Sequence, residues 1–457
     1  MPRLSSVFTA LVGIGAAIIF LLPPPAGATA VTMHAAALIV LTVGLWALGT
    51  VPEYITALLF FLLAMVFAIA SPQVVFSGFA SATMWLVLGG LFVAEAVTVT
   101  GLGRRVAGLL FDRYALGYTG LVTVVAVVAT LLAFFMPATV GRILLLLPIV
   151  IALAERVGFA RGSSGYNGLC LVAIIITNQS GTGILPANAP NLVLAGATEA
   201  IYDVAIIYAE WLLVMFPVLC LVKGMIVIAL IRWFYPAAIR QQSNPPPHAP
   251  MSAEERRLAV ILTLALLLWA TDFVHGVRAG WVALAAAVAC LLPRIGVLPV
   301  TAFNQVRFGP FFYVGATIGL GALAQESGLG ALLGKLALAT LNLQAGADFT
   351  NFVALSVLGT LVSLVATNPA QPALLVPLAG DFAEATGWPL NAALMTIAVG
   401  FNVMILPYQV PPVVVGMQVA GISLRTALRV SLPLAAVGII VMLPLDYVWW
   451  RLIGYFG

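Results

Sequence analysis

Charge is what this sequence lacks most. Of its 457 residues only 7% are charged, with 19 Lys and Arg against 15 Asp and Glu, where an ordinary soluble domain carries about 25%. So few charges cannot cover the surface of a soluble protein of this length, which excludes a soluble enzyme and a nucleic-acid binder. The net charge of +4 does not argue for DNA or RNA either, because the basic residues are scattered through loops. Cysteine is nearly absent. Cys170, Cys220 and Cys290 lie far apart in apolar segments with no CxxC, which excludes a disulfide framework and a zinc site and leaves small buried hydrophobes. No Ser-His-Asp arrangement, metal-ligand cluster or phosphate loop is present, and His34 and His275 fall at helix ends. What fills the chain is apolar, 63% of it. This is a polytopic membrane protein.

The gaps between charges organise it. Residues 4–52, 54–94, 114–141, 162–198, 349–380 and 385–424 carry no charge, and a helix needs about 20 apolar residues to cross the hydrocarbon core. The expected membrane segments are 7–22, 33–51, 54–71, 79–100, 118–154, 166–196, 207–231, 258–276, 280–297, 309–341, 349–380, 387–420 and 427–450. With the N-terminus cytoplasmic, fourteen loop arginines fall on one side; Arg278, Lys335 and Arg451 fall on the other. That is a strong positive-inside bias, and it requires 118–154 and 349–380 each to enter and leave on the same side. Both are interrupted by Pro and small polar residues, at Pro137-Ala138-Thr139-Val140-Gly141 and at Thr367-Asn368-Pro369-Ala370-Gln371-Pro372. Such breaks are tolerated at membrane depth only where protein buries them or a cavity adjoins them, so each segment is expected to be a re-entrant hairpin of two short arms.

The halves of the chain resemble each other. Arg142 to Pro148 precedes Ile184-Leu185-Pro186-Ala187-Asn188-Ala189-Pro190-Asn191; Pro372 to Pro377 precedes Ile405-Leu406-Pro407-Tyr408-Gln409-Val410-Pro411-Pro412. Each half has a hairpin with a polar tip, followed by a long apolar segment broken by Pro and Asn or Gln. The expected fold is an all-α membrane protein of two inverted repeats, the architecture of secondary transporters with substrate held where the breaks meet. The first repeat is 1–234 (hairpin about 118–154, broken helix about 166–196). A cytoplasmic linker covers 235–257. The second repeat is 258–457 (hairpin about 349–380, broken helix about 387–420).

Further motifs carry a family likeness. They are Val51-Pro52-Glu53 with Thr56-Ala57-Leu58-Leu59, Phe76-Ser77-Gly78-Phe79-Ala80-Ser81 with Trp85-Leu86, Gly101-Leu102-Gly103-Arg104-Arg105, Trp269-Ala270-Thr271-Asp272 and Ser327-Gly328-Leu329. Through most of its length the chain resembles the divalent anion–sodium symporter family, within the wider ion-transporter superfamily. The resemblance implies a homodimeric elevator-type carrier, with a scaffold and a mobile transport domain, that moves dicarboxylates, citrate or sulfate, usually with sodium. It also implies Ser-Asn-Thr at the hairpin tips and a small residue before Pro-Pro-Asn at the helix breaks. This chain has Ala138-Thr139-Val140 and Thr367-Asn368-Pro369 at the tips, and Asn188-Ala189-Pro190-Asn191 and Val410-Pro411-Pro412-Val413 at the breaks. Asn368, Pro190, Asn191, Pro411 and Pro412 match.

Arg142 is the most informative side chain, a charge in an uncharged stretch just past the first tip. Intramembrane charges are costly and functional by default. A guanidinium can grip a carboxylate or sulfate and so replace a coupling cation; the competing reading is a structural Arg paired with Glu155 or with backbone carbonyls. Thr139, Thr367 and Asn368 can offer oxygens to a cation or donors to an anion, or can cap broken helices; Thr139 and Asn368 are the candidate sodium ligands. Asn188, Asn191 and Gln409 sit at the breaks and complete the candidate substrate site, with Gln371 a weaker member. The run Asn178-Gln179-Ser180-Gly181-Thr182-Gly183 reads as helix packing. Glu95 reads as interfacial, with a proton-carrier role as the alternative. Lys223 is expected to snorkel, and Tyr447, Trp449 and Trp450 to form an interfacial belt.

The expected function is secondary transport of a small anion, a di- or tricarboxylate or sulfate, across the cell (inner) membrane, with sodium as the candidate coupling ion. Proton coupling or exchange using Arg142 is the alternative within transport. A membrane enzyme finds no clustered acid, base or metal residues to support it, and a non-transporting receptor has no need of two broken hairpin units.

Overall fold

The computed structural model describes residues 2–114, 117–136, 138–239 and 250–457. Pro137 of the first expected tip and residues 240–249 of the expected linker lie outside the described residues. All regular structure among the described residues is helical. Six helices are long and apolar enough to cross a membrane: Ala30–Leu48, Ala82–Thr100, Gly117–Phe135, Tyr208–Phe234, Asp348–Ala366 and Leu424–Leu452.

Local sequence explains where helices begin and how closely they pack. Side-chain oxygens of Thr29, Ser81, Ser163, Ser252 and Ser423 accept the first free backbone N–H groups of the helices that follow them, filling donors a helix cannot satisfy internally. Where two helices touch, glycine lets their backbones meet. A Cβ on Gly89 would lie 2.5 Å from the Ala283 backbone, and one on Gly400 would lie 2.7 Å from Gly359 Cα.

The centre of the molecule is built from two helices that are apolar on every face, the pattern of a fully enclosed helix. Ser164–Gly183 is buried along nearly its whole length, and Leu390–Phe401 is buried from Ala392 onward. Both stop in mid-protein, and the chain then follows the same course twice. After Gly183 it runs through extended Ile184, a single 3₁₀ turn Leu185–Ala187 and extended Asn188 into Ala189–Tyr202. After Phe401 it reaches extended Leu406, a 3₁₀ turn Pro407–Gln409 and extended Val410 before Pro411–Ala420. Proline opens each turn and each following helix, because it lacks the N–H that those first positions leave unused.

Several expectations change. The segment 309–341 is two helices, Gly309–Glu326 and Leu329–Leu341, because Gly328 takes a left-handed conformation at φ 73° between them. The leading hairpin arms are not short. Gly117–Phe135 and Asp348–Ala366 have 19 residues each, about 28 Å at 1.5 Å per residue, since nothing before the polar tip interrupts their helical runs. The second arm of the second hairpin is the broken one, interrupted around Pro377 into Gln371–Leu375, a 3₁₀ turn Val376–Leu378 and Ala379–Thr386. Trp450 and Tyr447 are not at an interface; both are buried in an aromatic cluster with Phe352 and Phe456. Lys223 does not snorkel either. It is 3% exposed, and its ammonium donates to the carbonyl of Asn402 at 2.6 Å. A carbonyl freed by the second break offers it an acceptor inside the protein.

Candidate functional site

Both hairpin tips and both helix breaks meet at one cavity of about 160 Å³. The first tip contributes Ala138, Thr139 and Val140; the first break contributes Asn188, Ala189 and Pro190. The second tip contributes Asn368 and Pro369; the second break contributes Val410, Pro411 and Pro412. Glu53, Val87, Leu91, Pro310, Tyr313 and Val314 close the opposite wall, and Asn178 lines it from the central helix. Segments more than two hundred residues apart in sequence are thus brought together by the two breaks.

From the tips and breaks, three helices of eight or more residues begin at this cavity: Thr139–Arg156, Ala189–Tyr202 and Pro411–Ala420. None has a side-chain cap on its first turn, because the residues before them, Ala138, Asn188 and Val410, make no such bond. Each uncapped N-terminus carries about half a positive charge; Thr139, Val140 and Ala189 have N–H groups to offer there, whereas Pro190, Pro411 and Pro412 have none and Val413 N is bonded to Val410 O. The helix ends thus bring partial positive charge to the cavity without a basic side chain on its wall. Glu53 is its one charged lining residue.

Arg142 does not reach the cavity. It is completely buried one layer behind the first tip. Its Nη1 donates to Met136 O and to Ala187 O (2.8 Å), and its Nη2 donates to Thr177 O (3.0 Å) and Thr139 Oγ1 (3.3 Å). Those carbonyls belong to the hairpin turn, the central helix and the break, so one guanidinium ties three segments together. Of its two expected readings this geometry favours the structural one, with backbone carbonyls as partners; Glu155 pairs instead with Arg161. A Cβ on Gly181 would come within 2.9 Å of Nη2, so the glycine makes room for the guanidinium.

The other candidates divide by where they point. Thr139, Asn188 and Asn368 line the cavity. The hydroxyl of Thr139 also donates to Ala187 O at 3.2 Å. Asn368 donates from its side chain to Phe401 O and from its backbone to Gln409 O at 3.0 Å, which pins the second tip onto the second break. Its Oδ1 is buried without a hydrogen bond. Asn191 and Gln409 face away from the cavity and fasten the breaks: Asn191 donates to Gly181 O (2.8 Å) and Ile184 O (3.1 Å), and Gln409 Oε1 accepts from Ile405 N and Leu406 N, both at 2.8 Å. An amide side chain suits this work because it carries donors and an acceptor together. Thr367, buried and off the cavity wall, holds the tip in a backbone conformation at φ 75°, ψ 155°, a region otherwise left to glycine. Gln371 donates to Ile397 O at 3.1 Å, behind the tip.

Three polar lining residues, Asn178, Glu53 and Tyr313, are not among the sequence candidates for the site. Asn178 stood in a run read as packing; its neighbour Gln179 does pack, donating to Leu219 O and Asn402 Oδ1. Glu53 stands in the motif Val51-Pro52-Glu53, which carries family likeness but no site role in the sequence reading, and Tyr313 comes from a helix with no break or tip of its own. Glu95 is half-buried and off the cavity wall. The three cysteines are free and buried, as expected.

Comparison with known proteins agrees with this picture. A family model described as the sodium:sulfate symporter transmembrane region matches residues 5–456. A membrane protein of Cupriavidus necator is 24% identical over 99% of this chain and 94% of its own length. The L-tartrate/succinate antiporter of Escherichia coli strain K12 is 24% identical over 57% of this chain and 56% of its own, so that match spans little more than half of the antiporter. Among solved structures, the YdaH transporter of Alcanivorax borkumensis superposes with a TM-score of 0.56 at 17% identity, covering 84% of this chain and 88% of that one. MtrF of Neisseria gonorrhoeae gives 0.53 at 14% identity, over 98% and 94% of the two chains. The length of the family match, on a chain of apolar helices interrupted at one shared cavity, places this multi-pass membrane protein in the sodium:sulfate symporter family of anion transporters.

Proposed function

We propose that the protein exchanges small dianions of the dicarboxylate class across the cell membrane, and that it does so without sodium. The observation that carries the anion reading is the meeting of three uncapped helix N-termini at one cavity. Backbone N–H groups and helix dipoles hold anions without any basic side chain. Thr139, Asn188 and Asn368 are the side chains that would contact the substrate. The likeness to an L-tartrate/succinate antiporter supports a dicarboxylate as the probe to try first.

The reasoning against sodium is electrostatic. A coupling cation is held in transporters by carbonyls at the ends of half-helices. Here Ala187 O and Thr177 O, the carbonyls beside the first break, receive the Arg142 guanidinium, and the Thr139 hydroxyl is bonded to the same group. A second cation against those oxygens would be repelled. The sodium-coupled reading keeps one support, the buried Oδ1 of Asn368 without a hydrogen-bond partner.

The architecture we infer is two inverted repeats, 1–234 and 258–457, joined by 235–257. The two tips enter from opposite faces of the inner membrane, with the N-terminus cytoplasmic, in an elevator-type homodimer. The paired order of extended residue, 3₁₀ turn and extended residue at the breaks supports a repeat.

The test is counterflow. Proteoliposomes loaded with unlabelled succinate are diluted into labelled succinate, with sodium or with potassium. Uptake of equal rate in both salts is expected. Uptake only with sodium would refute the exchange reading and assign the second tip to sodium; absence of flux with succinate, tartrate and sulfate would refute anion transport.

A further inference from the structure

Two buried ionisable groups take no part in the cavity. Lys223 is 3% exposed and Asp446 is fully buried. They lie on the two longest membrane-crossing helices, Tyr208–Phe234 and Leu424–Leu452. Each helix is interrupted by a π-helical stretch close to the charged residue: Pro217–Val222 immediately before Lys223, and Gly438–Met442 four residues before Asp446. π-Bulges of this kind gather at functional positions, and an intramembrane charge is functional by default.

The pair is not a closed ion pair. Lys223 Nζ donates to Asn402 O at 2.6 Å, whereas neither carboxyl oxygen of Asp446 has a hydrogen-bond partner. Each nevertheless acts electrostatically on the other. The other ionisable groups on the helices around them are engaged elsewhere or exposed. Arg142 acts on Cys220, Glu210 is bonded to Asn391 and Tyr455, Asp348 to Trp388, and Arg451 to Tyr447; Arg429 acts on Tyr235, and Arg425 is exposed. Asn402 ends the helix that stops at the second break, and its side chain accepts from Gln179 on the central helix of the first half. Lys223 therefore holds the second break as Arg142 holds the first, but only Lys223 has a carboxyl lacking a donor as its counter-charge.

We propose that Lys223 and Asp446 form a proton-binding site, separate from the anion cavity, that couples proton movement to the state of the second break. A hydronium ion of the bulk water gives its proton to the Asp446 carboxylate: one hydronium O–H bond breaks, the O–H bond of the neutral acid forms, and a water molecule is released. With Asp446 ionised, its attraction competes with Asn402 O for the Lys223 ammonium. With Asp446 protonated that attraction is gone, and the ammonium rests on Asn402 O alone. Proton occupancy thus sets how firmly the second break is held. By linkage, a conformational change that moves the break changes proton affinity in return.

The site itself is tested without substrate. The purified protein is melted in detergent from about pH 5 to about pH 9, a range spanning several tenfold changes in proton activity, as wild type, Asp446→Asn, Lys223→Met and the double variant. The wild-type melting temperature is expected to carry a pH-dependent step that Asp446→Asn removes. The double variant, which buries no charge, stays folded and shows no step. A step of unchanged size in Asp446→Asn or in the double variant overturns the proposal. The coupling claim, which rests on the transporter reading above, is tested in proteoliposomes by comparing pH-driven succinate accumulation with succinate counterflow. One proton coupled per substrate gives about tenfold accumulation per pH unit, and Asp446→Asn should lower the ratio of driven to exchange flux by that factor. A ratio retained in Asp446→Asn but lost in Glu53→Gln would put the proton on the cavity carboxyl and refute the assignment. If the wild type moves no succinate at all, the transporter reading falls, and the melting profiles alone decide the proton site.

Discussion

Removing Arg142 should cost the fold more than it costs anion affinity. The guanidinium is fully buried and serves Met136 O, Ala187 O and Thr177 O, with Thr139 Oγ1 as a fourth partner. Arg142→Ala removes the guanidinium donors from Met136 O, Ala187 O and Thr177 O, leaving Ala187 O only the Thr139 hydroxyl at 3.2 Å and Thr177 O the Ser180 hydroxyl at 3.4 Å, and opens a void between the first tip and the first break. Hydrogen bonds to a charged group contribute about 1.5–3 kcal/mol each. Relief from burying a charge offsets part of that sum, so the net loss should be roughly 3–6 kcal/mol. Arg142→Lys, with one ammonium in place of a five-donor fork, should lose roughly half as much. The assay is denaturant or thermal unfolding in detergent, with and without saturating succinate. Destabilisation of the expected size, equal in both conditions, supports a guanidinium that builds the tip. An Arg142→Ala protein within about 1 kcal/mol of wild type when ligand-free, yet lacking stabilisation by succinate, would refute this reasoning. The charge would then act on the substrate itself.

Two further outcomes follow from the geometry. Thr367 at φ 75°, ψ 155° sits where only glycine is comfortable, a strain of about 1–3 kcal/mol. Thr367→Gly should therefore stabilise the protein by roughly 1 kcal/mol after glycine's own entropic cost, seen as a raised unfolding midpoint; a lowered midpoint would mean that the threonine side chain outweighs the strain. At the start of helix Ala253–Ala270, Arg105 donates to Glu255 at 2.7 Å and holds its carboxyl below the usual carboxylate range. A depressed carboxyl contributes stability that is present above its unfolded value, 4.5, and is lost as pH falls through the folded one. Amide protection factors at 252–256, with the intrinsic slowing of exchange in acid divided out, should fall on acidification below that value, and Glu255→Gln should show the lower protection already at neutral pH.

How much was legible in the sequence depends on whether a feature is local. The breaks were readable because closely spaced prolines with an asparagine or glutamine between them remove several helical N–H donors at once, whereas the lone Pro148 and Pro433 are carried inside helices; the observed 3₁₀ turns at Pro186 and Pro407 stand at those clusters. The tips were readable for the same reason, although the lengths of the arms were not, since helical runs continue up to Phe135 and Ala366 without any mark in the sequence. The division of labour among polar residues was hidden. Asn188 and Asn191 are three residues apart, yet one lines the cavity and the other bonds back to Gly181 O. Three residues is most of a helical turn, and which side of the new helix faces inward depends on the crossing of the central helix, a tertiary fact.

The same distinction explains Arg142 and Lys223. Each was visible as a lone charge in an apolar stretch, and a lone charge needs a partner. For Arg142 the sequence offers Glu155 or backbone carbonyls without saying which carbonyls, and for Lys223 it offers only the interface. The partners found are carbonyls of Ala187 and Asn402, freed where helices stop, and a freed carbonyl is invisible in a sequence, since every residue carries one. A helix broken inside a membrane creates acceptors that must be satisfied, and this protein satisfies one at each break with a cation of its own. That is why the two buried cations, Arg142 and Lys223, stand behind the two breaks, leaving the cavity in front of them to helix N-termini and amides.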